Sequence, residues 1–321
     1  MKKIIDDSRL IYKCCSLYYE DNMGQQEISD YLGISRATVS RMLNIGREQG
    51  IVKIQVVNPV QFSYGKLEKA LERKYGLKEV IVVEKTSLDT REDSFSKLSE
   101  KAALFLSQFF QDGDYIGVSM GYTLHKVINV KRAFPKEKNY RFVPIIGGIS
   151  QGNVAKIDVQ SNQIVKEFAK KFGGTYSQFY APAVFSTKEA RDSFLKEPSI
   201  RSIFDEFQKL NTLVMGIGYT ERVGGTLISA GYVTQEELDG YAFDGAVGDV
   251  SLRFYDKDGN GEAYSEFNDR VAGMPVSMLK QVKNRIGIGE GKERSSAIEG
   301  AIKGGFINIL ITDIDCAEAL L

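Results

Sequence analysis

The stretch QQEISDYLGISRATVSRML, residues 25–43, constrains this chain more than any other part of it. Ile28, Leu32, Ile34, Val39 and Met42 fall where two crossed helices share a small core. Ser29 is small enough to let the helices approach, and Gly33 stands in the turn, where a positive φ costs a glycine little. Ser35 is placed to cap a second helix. That helix puts Arg36, Ala37, Thr38, Ser40 and Arg41 on or near its outward side, where with Ser35 they can reach base edges or phosphates. Residues 6–20 read as a preceding helix with Leu10, Ile11, Cys14, Leu17 and Tyr18 in one apolar stripe, and GIVKIQVVNP behind the unit reads as a short strand or wing. A plain three-helix bundle would meet the apolar spacing, but it gives no reason for an Arg/Ser/Thr outward face, so the pattern predicts a winged helix-turn-helix that binds DNA.

The chain as a whole is neutral, with 42 basic and 42 acidic residues, so the charge for a polyanion has to be local. Between Tyr31 and Lys53 it is: Arg36, Arg41, Arg47 and Lys53 face only Glu48, a net +3. That footprint is modest. One such module is expected to bind weakly and with strong salt dependence, which oligomerisation would remedy.

At 321 residues and 43% hydrophobic content the chain is long enough for two domains with a sizeable core. No run of about 18 apolar residues occurs, and acidic residues interrupt the start MKKIIDDSRLIYK where a secretory segment would be apolar, so a cytoplasmic location without membrane contact is expected. Cys14, Cys15 and Cys316 suit neither a disulfide framework nor a metal site and read as buried thiols; His125 is the sole histidine. Neither a metal nor a cofactor is called for. Beyond Pro59 a charged amphipathic helix, roughly residues 64–75, leads into a strand at Val80–Val83. From there YIGVS, RFVPII, TLVMGIG, RIGIG and INILIT are short buried-strand candidates, alternating with helices near residues 94–110, 123–130, 161–172, 275–284 and 295–303. The alternation predicts a Rossmann-like, mostly parallel α/β sheet covered on both faces. The expected division is a DNA-binding domain over residues 1–57, a linker helix and entry strand over 58–85, and an effector and oligomerisation domain over 86–321.

With the helix-turn-helix, the loop GVSMGYT, VPIIGG, the block FDGAVGDVSLRFYDKDG and the tail GGFINILITDIDCAEALL, the chain resembles the SorC/DeoR-like family of bacterial sugar-responsive transcriptional regulators. The resemblance covers nearly the whole sequence, and the order of DGAVGD and the C-terminal GG-x-x-N-x-L-x-T-D is its most diagnostic part. It implies an effector domain similar to sugar-phosphate isomerases and deaminases, a homodimer or homotetramer, a double-stranded DNA operator as partner, and a phosphorylated sugar as effector. An enzyme acting on a sugar phosphate, with an appended DNA module, is the other reading of such a domain.

In YIGVSMGYTLHKVI a strand ends near Val118 and a helix begins near Thr123. The intervening Ser119, Gly121 and Tyr122, with Thr123, offer backbone N–H groups, hydroxyls and the positive end of a helix to an anion; a tight structural turn is the competing reading. The resemblance implies that the effector's phosphate is held there. Gly147 and Gly148 end another strand and are either a bare turn or a ligand contact. Gln178 and Tyr180 can line the same mouth, with packing the alternative for Tyr180. Asp249 either accepts from sugar hydroxyls or caps a buried turn. Lys292 and Arg294 precede a helix; the family more often has lysine where Arg294 stands, and a planar fork in place of a point cation alters how a phosphate is gripped. DKDGNGEAYSEF, from Asp256 to Phe267, begins like a calcium loop, but Phe267 occupies the twelfth position, where a bidentate glutamate is required, so a polar hairpin turn is expected instead.

Overall fold

A computed structural model describes residues 7–54, 64–149, 158–220 and 225–321. Its contacts divide the chain into two units, residues 1–62 and 63–321. The first holds α1 (Ser8–Tyr19), α2 (Gln25–Leu32) and α3 (Arg36–Glu48). Ile11, Cys14, Cys15, Ile28, Val39, Met42 and Leu43 are buried together, with Leu32 and Ile34 packed at their margin. The turn works as its residue types require: Gly33 has φ +66°, and the Ser29 hydroxyl donates to the Ile34 carbonyl at 2.6 Å, tying the helix to the chain just past the turn. The expected wing strand is absent from residues 50–54, which form a turn and bends; residues 55–59 lie outside the described residues.

The second unit opens with α4 (Gly65–Tyr75), β1 (Glu79–Val83), α5 (Arg91–Phe109), β2 (Tyr115–Val118), α6 (Tyr122–Ile128), β3 (Arg141–Pro144), α7 (Ser161–Phe172) and β4 (Thr175–Tyr176). It continues through α8 (Lys188–Leu195), α9 (Pro198–Phe207), β5 (Thr212–Tyr219), α10 (Thr226–Ser229), α11 (Gln235–Phe243), β6 (Ala246–Val250) and β7 (Arg253–Asp256). Then come α12 (Ser265–Asn268), α13 (Val276–Leu279), β8 (Asn284–Ile288), α14 (Ser295–Lys303), β9 (Ile309–Asp313) and α15 (Ile314–Ala319). The main sheet has the order β1-β9-β8-β5-β2-β3-β4, and every neighbouring pair along it is parallel. The hairpin β6–β7 is antiparallel and extends from the C-terminal end of β5, pairing Ile217 with Val250 and Tyr219 with Gly248.

Period-two alternation explains the layering. On β5, Leu213, Met215 and Ile217 face one core with residues of α4, α9, α14 and α15, while Val214 faces the other with residues of α5, α6 and α7. A smaller core joins Met120, Leu238, Leu252, Phe254 and Phe267 over the hairpin and the short helices around it. Two expectations are corrected here. The helix expected over residues 275–284 is only Val276–Leu279, because the chain must turn at residues 280–283 to bring Asn284 into register with Thr212. The polar segment after β7 is a tight turn closed by the Asp256 carboxylate, which accepts from the Asp258 and Asn260 N–H groups at 2.9 Å each. It leads into a 3-10 helix, Glu262–Tyr264, and not into a returning strand, while Phe267 is fully buried.

Candidate functional site

Helix α3 carries the first site. The Ser35 hydroxyl accepts from the Thr38 N–H at 3.1 Å and lies 2.8 Å from the Thr38 hydroxyl, so the cap also orients a side chain of the first turn. Val39, Met42 and Leu43 are buried beneath; Ser35, Arg36, Ala37 and Arg41 are exposed, with Thr38 and Ser40 half-buried beside them. All six expected residues therefore share one outward face of the helix and its start.

The second site follows from the strand order. After β2 the chain winds outward through β3 and β4, then returns to place β5 on the other side of β2 and winds the opposite way through β8 and β9. Connections leaving β2 and β5 thus part in opposite directions and leave a crevice at their C-terminal ends, where open α/β sheets bind ligands. A cleft of about 730 Å³, counted out to its open mouth, lies there. It brings together Ser119, Gly121, Tyr122, Thr123, Asp249 and Arg294.

The backbone of this cleft is tightly specified. Ser119 is buried and its N–H donates to the Val214 carbonyl on β5 at 3.1 Å. Gly121 is the N-cap of α6, whose first-turn N–H groups have no partner within the helix. Tyr122 stacks on Phe95 of α5 with ring centroids 5.5 Å apart and planes within 7° of parallel. Asp249 enters from β6, which pairs with β5, and its Oδ1 occupies the space a side chain at position 218 would need: a Cβ on Gly218 would lie 1.9 Å from it. Its Oδ2 accepts from the Leu252 N–H at 3.1 Å, so the carboxylate does cap a buried turn while lining the cleft. Burial pushes the Asp249 carboxyl up to about 6, against the opposing effects of that hydrogen bond and of Arg294. Arg294 is itself buried and lies over the Tyr219 ring, 5.1 Å from its centroid. Behind it Glu290 is pushed up to about 7 by burial and by the neighbouring Asp313 charge.

The other expected residues lie outside this cleft. The N–H groups of Gly147 and Gly148 donate to the Ala272 and Phe179 carbonyls, which engages that glycine pair in backbone packing. Tyr180 is exposed and its hydroxyl donates to the Gln178 side chain. Lys292 opens the short 3-10 turn that carries Arg294 but does not line the cleft. His125, on α6, bonds through its ring to the Asp158 carbonyl. Conversely, Gly218, Tyr219, Thr226 and Ser251 line the cleft without having been anticipated. Ser251 is brought there by the pairing of β6 with β5, which no local pattern reports.

Residues 61–321 match the family described as "Putative sugar-binding domain", and residues 14–60 match a Crp-like helix-turn-helix domain. The chain belongs to the SorC/DeoR-like family of sugar-binding transcriptional regulators. It is 32% identical to the sorbitol operon regulator of Klebsiella pneumoniae, covering 98% of both chains. It is also 32% identical to the deoxyribonucleoside regulator of Bacillus subtilis strain 168, again over 98% of each. The crystal structure of the full-length sorbitol operon regulator SorC from Klebsiella pneumoniae superposes with a TM-score of 0.73 at 31% identity, covering 98% of this chain and 99% of that one. These relatives are named as regulators, and the SorC/DeoR-like chain is accordingly a transcriptional regulator with a DNA-binding and a sugar-binding domain, not an enzyme. Among its described residues no helix is long and apolar enough to cross a membrane.

Proposed function

We propose that this regulator controls a carbohydrate-related operon from the cytoplasm, binding a double-stranded operator through α3 as a homodimer or homotetramer, with a phosphorylated sugar in the β2/β5 cleft setting its DNA affinity. The observation that carries the reading is the convergence, at one switch point, of the Ser119–Thr123 loop, Asp249 and Arg294. The loop suits the phosphate: the first-turn N–H groups, which have no partner within the helix, the Thr123 hydroxyl and the positive helix end all favour an anion. Arg294 adds a fixed planar cation, and Asp249 is an acceptor for sugar hydroxyls. A net charge of +3 between Tyr31 and Lys53 is too small for tight binding by one module, which supports pairing of modules on inverted half-sites.

A ligand that binds only the folded state raises its melting temperature, so a panel of pentose, hexose and hexitol phosphates, each beside its unphosphorylated sugar, tests the reading by thermal shift. At least one phosphorylated member is expected to stabilise the protein, and its free sugar to do so far less. Equal shifts from both would remove the phosphate from the proposal; no shift from any member would remove the effector.

A further inference from the structure

Three non-glycine residues among those described have a positive φ, and two of them are adjacent at the cleft: Ser251 at +52° and Leu252 at +63°. They form the whole loop of the β6–β7 hairpin, since Val250 pairs directly with Arg253. A two-residue hairpin turn with positive φ at both positions is the kind that Asn-Gly or Gly-Gly adopts without strain. A serine and a leucine there are held against their preference. Leucine has a packing reason, since Leu252 is buried in the small core with Met120 and Leu238. Serine has none of that kind, and yet its neighbours fasten it firmly. Asp249 accepts from the Leu252 N–H at 3.1 Å, and buried Arg253 donates to the Ser251 carbonyl at 3.4 Å. The effect is to aim the Ser251 hydroxyl, 4% exposed, into the cleft at 2.9 Å from the Ser119 hydroxyl.

We infer that Ser251 is an effector-binding residue, and that the Ser119–Ser251 hydroxyl pair reads a sugar hydroxyl of the bound effector. The inference rests on the proposed use of this cleft by a phosphorylated sugar. Two hydroxyls carry two donors and four acceptor lone pairs, and bonding to each other uses one of each. One donor and three lone pairs remain at the cleft wall. A ligand hydroxyl, donor and acceptor at once, completes that set, whereas a methylene at the same place leaves buried polar atoms without partners. Backbone strain is thereby spent on presenting a hydroxyl at the cleft wall beside Ser119, a residue distant in sequence to which only strand pairing brings it.

Strain and hydroxyl separate experimentally in two variants. Ser251→Ala and Ser251→Gly both lack the hydroxyl, but only the glycine is at ease at positive φ. Each is melted alone and titrated calorimetrically, beside the wild type, with ribose 5-phosphate, 2-deoxyribose 5-phosphate, fructose 6-phosphate, glucosamine 6-phosphate and sorbitol 6-phosphate. The glycine variant should melt above the alanine variant, while both bind the wild type's best ligand about tenfold more weakly, the cost of one lost hydrogen bond to a buried partner. Wild-type affinity in Ser251→Gly, or affinities that rise and fall with the melting temperatures, would overturn the inference and leave the cleft reading standing. A wild type that binds none of the five would overturn both.

Discussion

Replacing Asp249 with asparagine should make the protein more stable at neutral pH than it is in its native form. The carboxyl ordinarily ionises at 3.8 and in the folded chain does so at about 6, because burial disfavours the charged form more than Arg294 and the Leu252 N–H favour it. A group whose folded pKa is raised contributes fully below its unfolded value and loses that contribution as pH climbs through the folded value. Ionised Asp249 therefore weighs against folding above pH 6. At 1.36 kcal/mol per pH unit, the rise from 3.8 to about 6 amounts to about 3 kcal/mol. Asparagine keeps an oxygen for the Leu252 N–H and carries no charge. Urea denaturation of the full chain, followed by circular dichroism from pH 4 to pH 8, measures the stability of Asp249→Asn minus that of the wild type; other titrating groups cancel in the difference. The difference should grow by up to about 3 kcal/mol between pH 4 and pH 6 and stay level above. A difference that does not vary with pH would show that Asp249 is not buried as an isolated acid, and the electrostatic account of the cleft would fail with it. That a protein retains an ionisable group at such a cost is what a binding function predicts.

Three further outcomes bear on the two sites. Arg36→Ala and Arg41→Ala should each weaken specific operator binding by about 1–3 kcal/mol if the side chain reads a base, and unchanged footprints in the double variant would move the reading face elsewhere. Thr123→Asp puts a fixed negative charge at the start of α6, where the effector's phosphate is proposed to dock, so calorimetry should find effector binding abolished; wild-type affinity would relocate the phosphate toward Lys292 and Arg294. Gly218→Ala places a methyl group where Asp249 Oδ1 now lies, 1.9 Å from it, and should cost about 1–3 kcal/mol in chemical denaturation as well as effector affinity, with a neutral result contradicting the observed packing.

What the sequence by itself determined is whatever local spacing determines. The helix-turn-helix was legible because its core residues, its turn glycine and its cap all lie within about one crossing of two helices, and each must be a particular kind of residue at a particular offset. The five apolar runs that became β2, β3, β5, β8 and β9 were legible for the same reason, as was the Ser119–Thr123 loop between a strand and a helix. Strand order was not, because residues 118 and 214 are neighbours only through long-range pairing. Tertiary structure alone decided that β5 returns beside β2, which created the cleft, and that the N–H groups of Gly147 and Gly148, a bare turn or a ligand contact by sequence, bond to the Ala272 and Phe179 carbonyls outside it. It also decided the role of β6–β7. GAVGDVSL holds two glycines and no helical period, and only the antiparallel pairing with β5 draws Asp249 and Ser251 into the site. Hydrogen bonds between strands far apart in sequence leave no local trace in either strand, so they set the geometry of the site without being written at any one place in the chain.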